Sequence, residues 1–227
     1  MNTVMVTGAD RGVGAALCGI FLEHGWTVIA GQYMPDWKQL AGMQEDYPEQ
    51  LNTVKLDVGS TESVKKAFEK TTQMTEKIDL LINCAGIISN ADTAETISKM
   101  FQVNTLGTLR MVETFQPLLE KGQKKIASIS SEAGSISLSH RKDHFGYCMS
   151  KAALNMTVKL LYNELKPKGY RFYLYHPGWV KSYMLGEKST TGDYEPEETA
   201  LAAFEQFTAE NEDALILKDV QGHYWSF

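Results

Sequence analysis

Cysteine, histidine and excess positive charge are all scarce in this chain, and each scarcity removes a class of function. Its three cysteines, Cys18, Cys84 and Cys148, form no CxxC pair and no Cys/His cluster at metal-ligand spacing. That excludes a disulfide framework and a zinc site, so the thiols read as reduced, small hydrophobes. Lys and Arg number 22 against 28 Asp and Glu, a net charge of −6. A nucleic-acid or anionic-membrane partner is therefore not expected. No apolar run approaches the roughly 20 residues that cross a bilayer. The opening "MNTVMVTGAD" enters a strand-like run and lacks the basic-then-apolar layout of a secretory leader, so the expected location is the cytoplasm. His140 and His144 have no third ligand nearby in sequence, His176 at a strand end reads as structural, and no metal is expected. Low complexity, internal repeats and a linker are missing too, which leaves one domain over 1–227.

What is present is an alternation of short apolar runs and helical patterns. "NTVMVT", "WTVIAGQ", "NTVKLDV", "IDLLINCAG", "KKIASISS", "YRFYLYHPG" and "ALILKDV" read as strands. They are nearly continuous in apolar residues, as strands buried on both faces are. Between them lie predicted helices at "VGAALCGIFLEHG", between Pro35 and Pro48, at "STESVKKAFEKTTQM", from Thr93 to Glu120, from Phe145 to Leu165, and from Glu195 to Ala209. Pro117 is expected to end or kink its helix. Repeated β-α-β units imply an α/β fold: a Rossmann-type, doubly wound parallel sheet of about seven strands with helices on both faces. A cofactor half spans about 1–120 and a catalytic and substrate half about 121–227.

"TGADRGVG", Thr7 to Gly14, sits where the first strand meets the first helix. Glycines at 8, 12 and 14 permit a tight turn and close approach of the backbone to a ligand. The helix N-terminus behind them offers free N–H groups and a positive dipole end to a phosphate. A merely tight turn would need only one or two glycines, so a dinucleotide is the better reading. Farther on, "YCMSK" places Tyr147 and Lys151 one helical turn apart on one face. The spacing alone fits an ordinary surface pair or a proton donor beside a cation.

The spacing TGxxxGxG, followed in order by Asp57 in "LDV", "NCAG", Asn104 in "QVNTLG", "SISSEAG", "YCMSK" and "HPGWVKS", resembles the short-chain dehydrogenase/reductase family over essentially the whole chain. Cys84 stands where the family's NNAG turn has a second Asn, and Ser182 where PGxVxT has Thr. The long stretch from Ser131 to Tyr147 and the "GHYW" terminus are similar to the C-factor-like and sniffer-type carbonyl reductase branch. The resemblance implies a nicotinamide cofactor contacted by Thr7, Gly8, Asp10, Arg11, Gly12, Val13, Gly14, Gln32, Tyr33, Asp57, Val58, Asn83, Ala85, Gly86, Tyr147, Lys151, Pro177, Gly178, Val180 and Ser182. Where NAD-specific members place an acid, this chain has Gln32 and then Tyr33, and Arg11 is a basic residue beside the glycines, so NADP(H) is expected over NAD(H).

The implied catalytic set is Asn104, Ser131, Tyr147 and Lys151. Tyr147 serves as proton donor, Lys151 as the cation that favours its phenolate and as a ligand of the nicotinamide ribose, and Ser131 as donor to the substrate oxygen. Asn104 anchors a water relay to Lys151. His144, Trp179 and Met184 are expected to line the substrate pocket, with Leu185, Tyr224 and Trp225 as further apolar candidates. The expected reaction is hydride transfer between the cofactor and a small carbonyl or alcohol. The alternative is a cofactor-binding signalling protein with vestigial catalysis. A homodimer through the two long helices is expected, with a monomer as the alternative.

Overall fold

In β1 (Thr3–Thr7), every residue is buried, with Val4, Met5 and Val6 fully so. Such a strand needs cover on both sides, and the computed structural model, which describes residues 1–209 and 214–227, provides it. The remaining strands are β2 (Thr27–Gln32), β3 (Leu51–Lys55), β4 (Leu80–Asn83), β5 (Lys125–Ile129), β6 (Arg171–His176), β7 (Leu217–Asp219) and β8 (Tyr224–Trp225). They form one sheet in the order β3-β2-β1-β4-β5-β6-β7-β8. All neighbours pair in parallel except β7 with β8, which is antiparallel. The expected seven strands are therefore joined by an eighth, which the aromatic tail supplies by turning back at Gly222 (φ +81°).

Successive strand residues face opposite sides, so Val4 and Val6 join one core while Met5 joins the other. One side is covered by α1 (Gly12–Glu23), α2 (Gln39–Asp46) and α7 (Pro196–Thr208), through residues such as Phe21, Leu40 and Phe207. The other is covered by α3 (Thr61–Thr71), α5 (Leu106–Leu119) and α6 (Phe145–Leu165), through Val64, Phe115 and Leu161.

The single helix expected from Thr93 to Glu120 is three pieces: α4 (Ala94–Met100), a π-turn at Phe101–Thr105, and α5. Side-chain bonds from Asn104 and Thr105 in this turn reach Ile87 and Ser150. Pro117 lies in the last turn of α5, which stops at Leu119. Among the described residues, no helix is long and apolar enough to cross a membrane.

Candidate active site

The strand order reverses between β1 and β4, and at such a point the loops leaving the two strands part to opposite faces and open a crevice at the carboxyl edge. Several motifs singled out in the sequence leave a strand at this edge, while Asn104 and the Tyr147–Lys151 pair come from helical segments. The glycine turn follows β1, Asn83–Gly86 ends β4, Ser131 follows β5, and Pro177 and Gly178 follow β6.

The glycine turn is locked by packing. Gly8 has φ +66°, and a Cβ there would lie 2.7 Å from Ala85 Cα. A Cβ on Gly14 would run into the Gly8 carbonyl oxygen. Thr7 is buried, and its hydroxyl accepts from Cys84 N and Ala85 N at 3.0 Å each, tying the ends of β1 and β4 together. Thr7 thus serves the turn from behind. Val58 and Val180 likewise have buried side chains, so what they can offer a ligand is main chain. The first turn of α1 has no acidic residue and no capping side chain, so its N–H groups are kept for another partner.

At the end of β2, Asp10 accepts from the main-chain N–H of Tyr33 (2.9 Å) and Met34 (2.5 Å). Its carboxylate is thereby spent on shaping the loop. Arg11 is not the free turn residue that a solvated guanidinium would be. It lies over the Trp37 ring at 4.7 Å, donates to the Tyr183 carbonyl at 3.2 Å, and touches Met34 Sδ at 2.7 Å. Half-buried Gln32 and exposed Tyr33 place no carboxylate there. Asp57 Oδ1 accepts from Gly59 N at 2.8 Å. Asn83 donates to the Ala127 carbonyl at 3.4 Å, and its buried Oδ1 has no partner among the described residues. Uncapped helix amides, a cradle that any Cβ at Gly8 or Gly14 would fill, and an unpaired buried amide oxygen fit a dinucleotide.

Tyr147 and Lys151 lie in the first two turns of α6, with Lys151 Nζ 5.8 Å from the Tyr147 ring centre. Lys151 is buried and donates to the Ile129 carbonyl at 2.8 Å. Burial pushes its ammonium down to about 8. Burial pushes the half-buried Tyr147 phenol up to about 12, with a side-chain interaction with Ser131 pulling the other way. A Cβ on Gly86 would lie 3.6 Å from Asn104 Oδ1 and 3.7 Å from Lys151 Nζ, so bare backbone passes beside both. Asn104, in the π-turn, is committed by its side chain: Oδ1 accepts from Ile87 N at 2.8 Å, and Nδ2 donates to Ile87 O at 2.9 Å and to Ser150 Oγ at 3.0 Å. Its amide brackets α6 against the loop after β4.

Ser131 differs from expectation in one respect. Its hydroxyl donates to Glu132 Oε2 at 2.5 Å instead of facing outward as a free donor. Sequence reasoning missed Glu132, and also Arg141 and Asp92. Arg141 pairs with Glu132, and Asp92 accepts from Phe145 N and Gly146 N at 3.0 and 2.9 Å, capping α6 from a distant loop. Only the charge of Glu132 next to the serine could have flagged it. His144 precedes α6 in a left-handed conformation (φ +53°), its ring meeting the Ser89 carbonyl. Trp179, Met184 and Leu185 are exposed on the loop after β6. Trp225 packs against His176, with its indole N–H on Asp219. Among the described residues, no group of His, Cys, Asp and Glu could hold a metal ion.

The family described as short chain dehydrogenase matches residues 2–193. The C-signal of Myxococcus xanthus is 35% identical over 127 residues, covering 53% of this chain and 76% of that protein. Of solved structures, the NADPH-bound carbonyl reductase from chicken fatty liver superposes with a TM-score of 0.89 at 26% identity, covering 100% of this chain and 99% of that one. The carbonyl reductase Sniffer of D. melanogaster gives 0.91 at 21% identity with both chains fully covered, a likeness of fold alone.

Proposed function

This chain belongs to the short-chain dehydrogenase family, and on that premise we propose that it is an NADP(H)-dependent oxidoreductase that interconverts a small carbonyl compound and its alcohol. The observation that carries the reading is the meeting of Ser131, Tyr147 and Lys151 at the carboxyl edge, beside a glycine turn fit for a dinucleotide. The uncapped amides of α1 would hold the pyrophosphate, and Arg11, backed by Trp37, would meet the phosphate that distinguishes NADP from NAD. The NADPH held by the chicken carbonyl reductase supports that choice. When bound, the nicotinamide supplies or accepts the hydride.

The chain's own residues handle the proton. Tyr147, neutral near pH 7, gives its proton to the carbonyl oxygen as the alcohol forms. Lys151, pushed down only to about 8, keeps most of its charge at neutral pH and stabilises the phenolate left behind. Asn104 holds the α6 segment in place through Ser150. The half-buried setting limits how far bulk water screens these charges.

Absorbance of NADPH followed over aldehydes, ketones, diketones and quinones tests the reading. Turnover is expected with NADPH preferred over NADH, and Tyr147→Phe should abolish it while leaving NADPH binding nearly intact. Retained activity in that variant removes Tyr147 from its role. A second reading, a cofactor-binding signalling protein, draws support from the likeness to the C-signal. It gains if the protein binds NADPH tightly and turns over nothing in the panel.

A further inference from the structure

The reaction assigned to Tyr147 makes no use of a charge pair whose field reaches it. Glu132 follows Ser131 directly and has both oxygens engaged. Oε2 accepts from the Ser131 hydroxyl at 2.5 Å and stands 4.0 Å from His176 Nε2. Oε1 accepts from Arg141 Nε at 2.9 Å and from Arg141 Nη2. Arg141 comes from the polar loop that precedes α6, so the pair joins that loop to the floor of the site. The two side chains are 21% and 33% exposed, so solvent screens them only in part. Both charges are felt at the Tyr147 phenol, in opposite senses. A carbonyl group presented to Tyr147 therefore sits within range of both.

We propose that Glu132 is a specificity-determining residue: paired with Arg141 beside Ser131, it turns away substrates that carry a carboxylate next to the reacting carbonyl and reserves the site for uncharged aldehydes and ketones. This rests on the carbonyl-reducing reading of the same site. A 2-oxo acid holds its carboxylate one bond from the reacting carbon, which brings a second anion up to Glu132. Arg141, the loop cation that could receive that anion, is already occupied. An ester of the same shape meets no such repulsion.

Phenylglyoxylate and its methyl ester form a matched pair of probes. Binding to the NADP⁺-loaded protein is read by calorimetry, and turnover with NADPH by absorbance. The native protein should favour the ester. Glu132→Gln, which can still accept from Ser131, leaves Arg141 uncompensated and should raise the acid-to-ester ratio roughly fivefold, the size of a partly screened charge contact. Arg141→Gln leaves Glu132 uncompensated and should lower the ratio by a similar factor. Arg141→Lys, which keeps the charge, should hold the native ratio.

Loosening of the loop alone would move the ratio the same way in both neutralising variants, so opposite signs separate charge from structure. NADPH affinity and thermal melts check that each variant folds. Ratios that stay constant, ratios that move together, or binding of neither probe by any of the proteins overturns the proposal. If nothing turns over while the affinity ratios still move oppositely, the carbonyl-reducing reading falls and the role of the charge pair stands.

Discussion

At the scale of single residues, burial acts on the two central groups in opposite directions. It pushes the Tyr147 phenol up to about 12 and the Lys151 ammonium down to about 8, because in each case the charged form is the one that loses its hydration. For Lys151 the folded value lies below the unfolded one. Its contribution to stability is thus present above the ordinary lysine range and lost as pH falls through about 8. Lys151→Met should therefore stabilise the fold at pH 7 by on the order of 1–2 kcal/mol while abolishing turnover, and the gain should shrink as pH rises toward the ordinary lysine value near 10.4. Urea denaturation at pH 7 and near pH 10 measures this, and a gain that does not change with pH would refute it. The Tyr and Lys were legible in the sequence because one helical turn relates them. The Ser131 proton was not, since its direction is set by the conformation of the turn that carries Glu132.

At the scale of elements, α6 is the part that must be placed accurately, and remote residues place it. Asp92 caps its first two N–H groups, Asn104 and Thr105 hold Ser150, and Gly134 passes so close that a Cβ would lie 2.8 Å from the Lys151 carbonyl. His144, left-handed without being glycine, is a strained entry that such anchoring sustains. Asp92→Ala should cost about 1 kcal/mol of stability. Amide exchange should speed at Phe145 to Tyr147 ahead of the rest of α6, and unchanged exchange there would remove Asp92 from this role. The apolar periodicity from Thr93 to Glu120 predicts one helix, and the structure breaks it at Asn104. Periodicity records which side of a helix is buried; it does not record that a buried amide must reach Ile87 and Ser150, contacts that accompany the π-turn.

At the scale of the whole molecule, the sheet order places four strand ends around one crevice, while the outer face of α6 faces away from it. Phe145, Met149, Met156 and Leu160 share that outer face at helical spacing, with exposures between 47% and 61%. Four large apolar side chains exposed on one helix face are a candidate contact surface. The homodimer expected from the sequence would cover it. Leu160→Glu with Met156→Glu should convert a dimer to a monomer in sedimentation velocity, and a native protein that sediments as a monomer would dismiss the pairing.

The sequence by itself determined the β-α alternation, the parallel class of the sheet, the glycine turn and the order of the motifs. These depend on local matters: the period of apolar residues, the backbone freedom of Gly8, the stiffness of β-branched runs. Tertiary structure alone decided that the aromatic tail would close the sheet as β8. The same holds for Arg11 lying on Trp37 under the Tyr183 carbonyl, and for the Ser131 proton pointing into Glu132, which Arg141 holds from the far side of a loop. Such contacts join residues far apart in the chain or fix the direction of one proton. They follow from which strands lie side by side and where each loop is pinned, information that no local period carries.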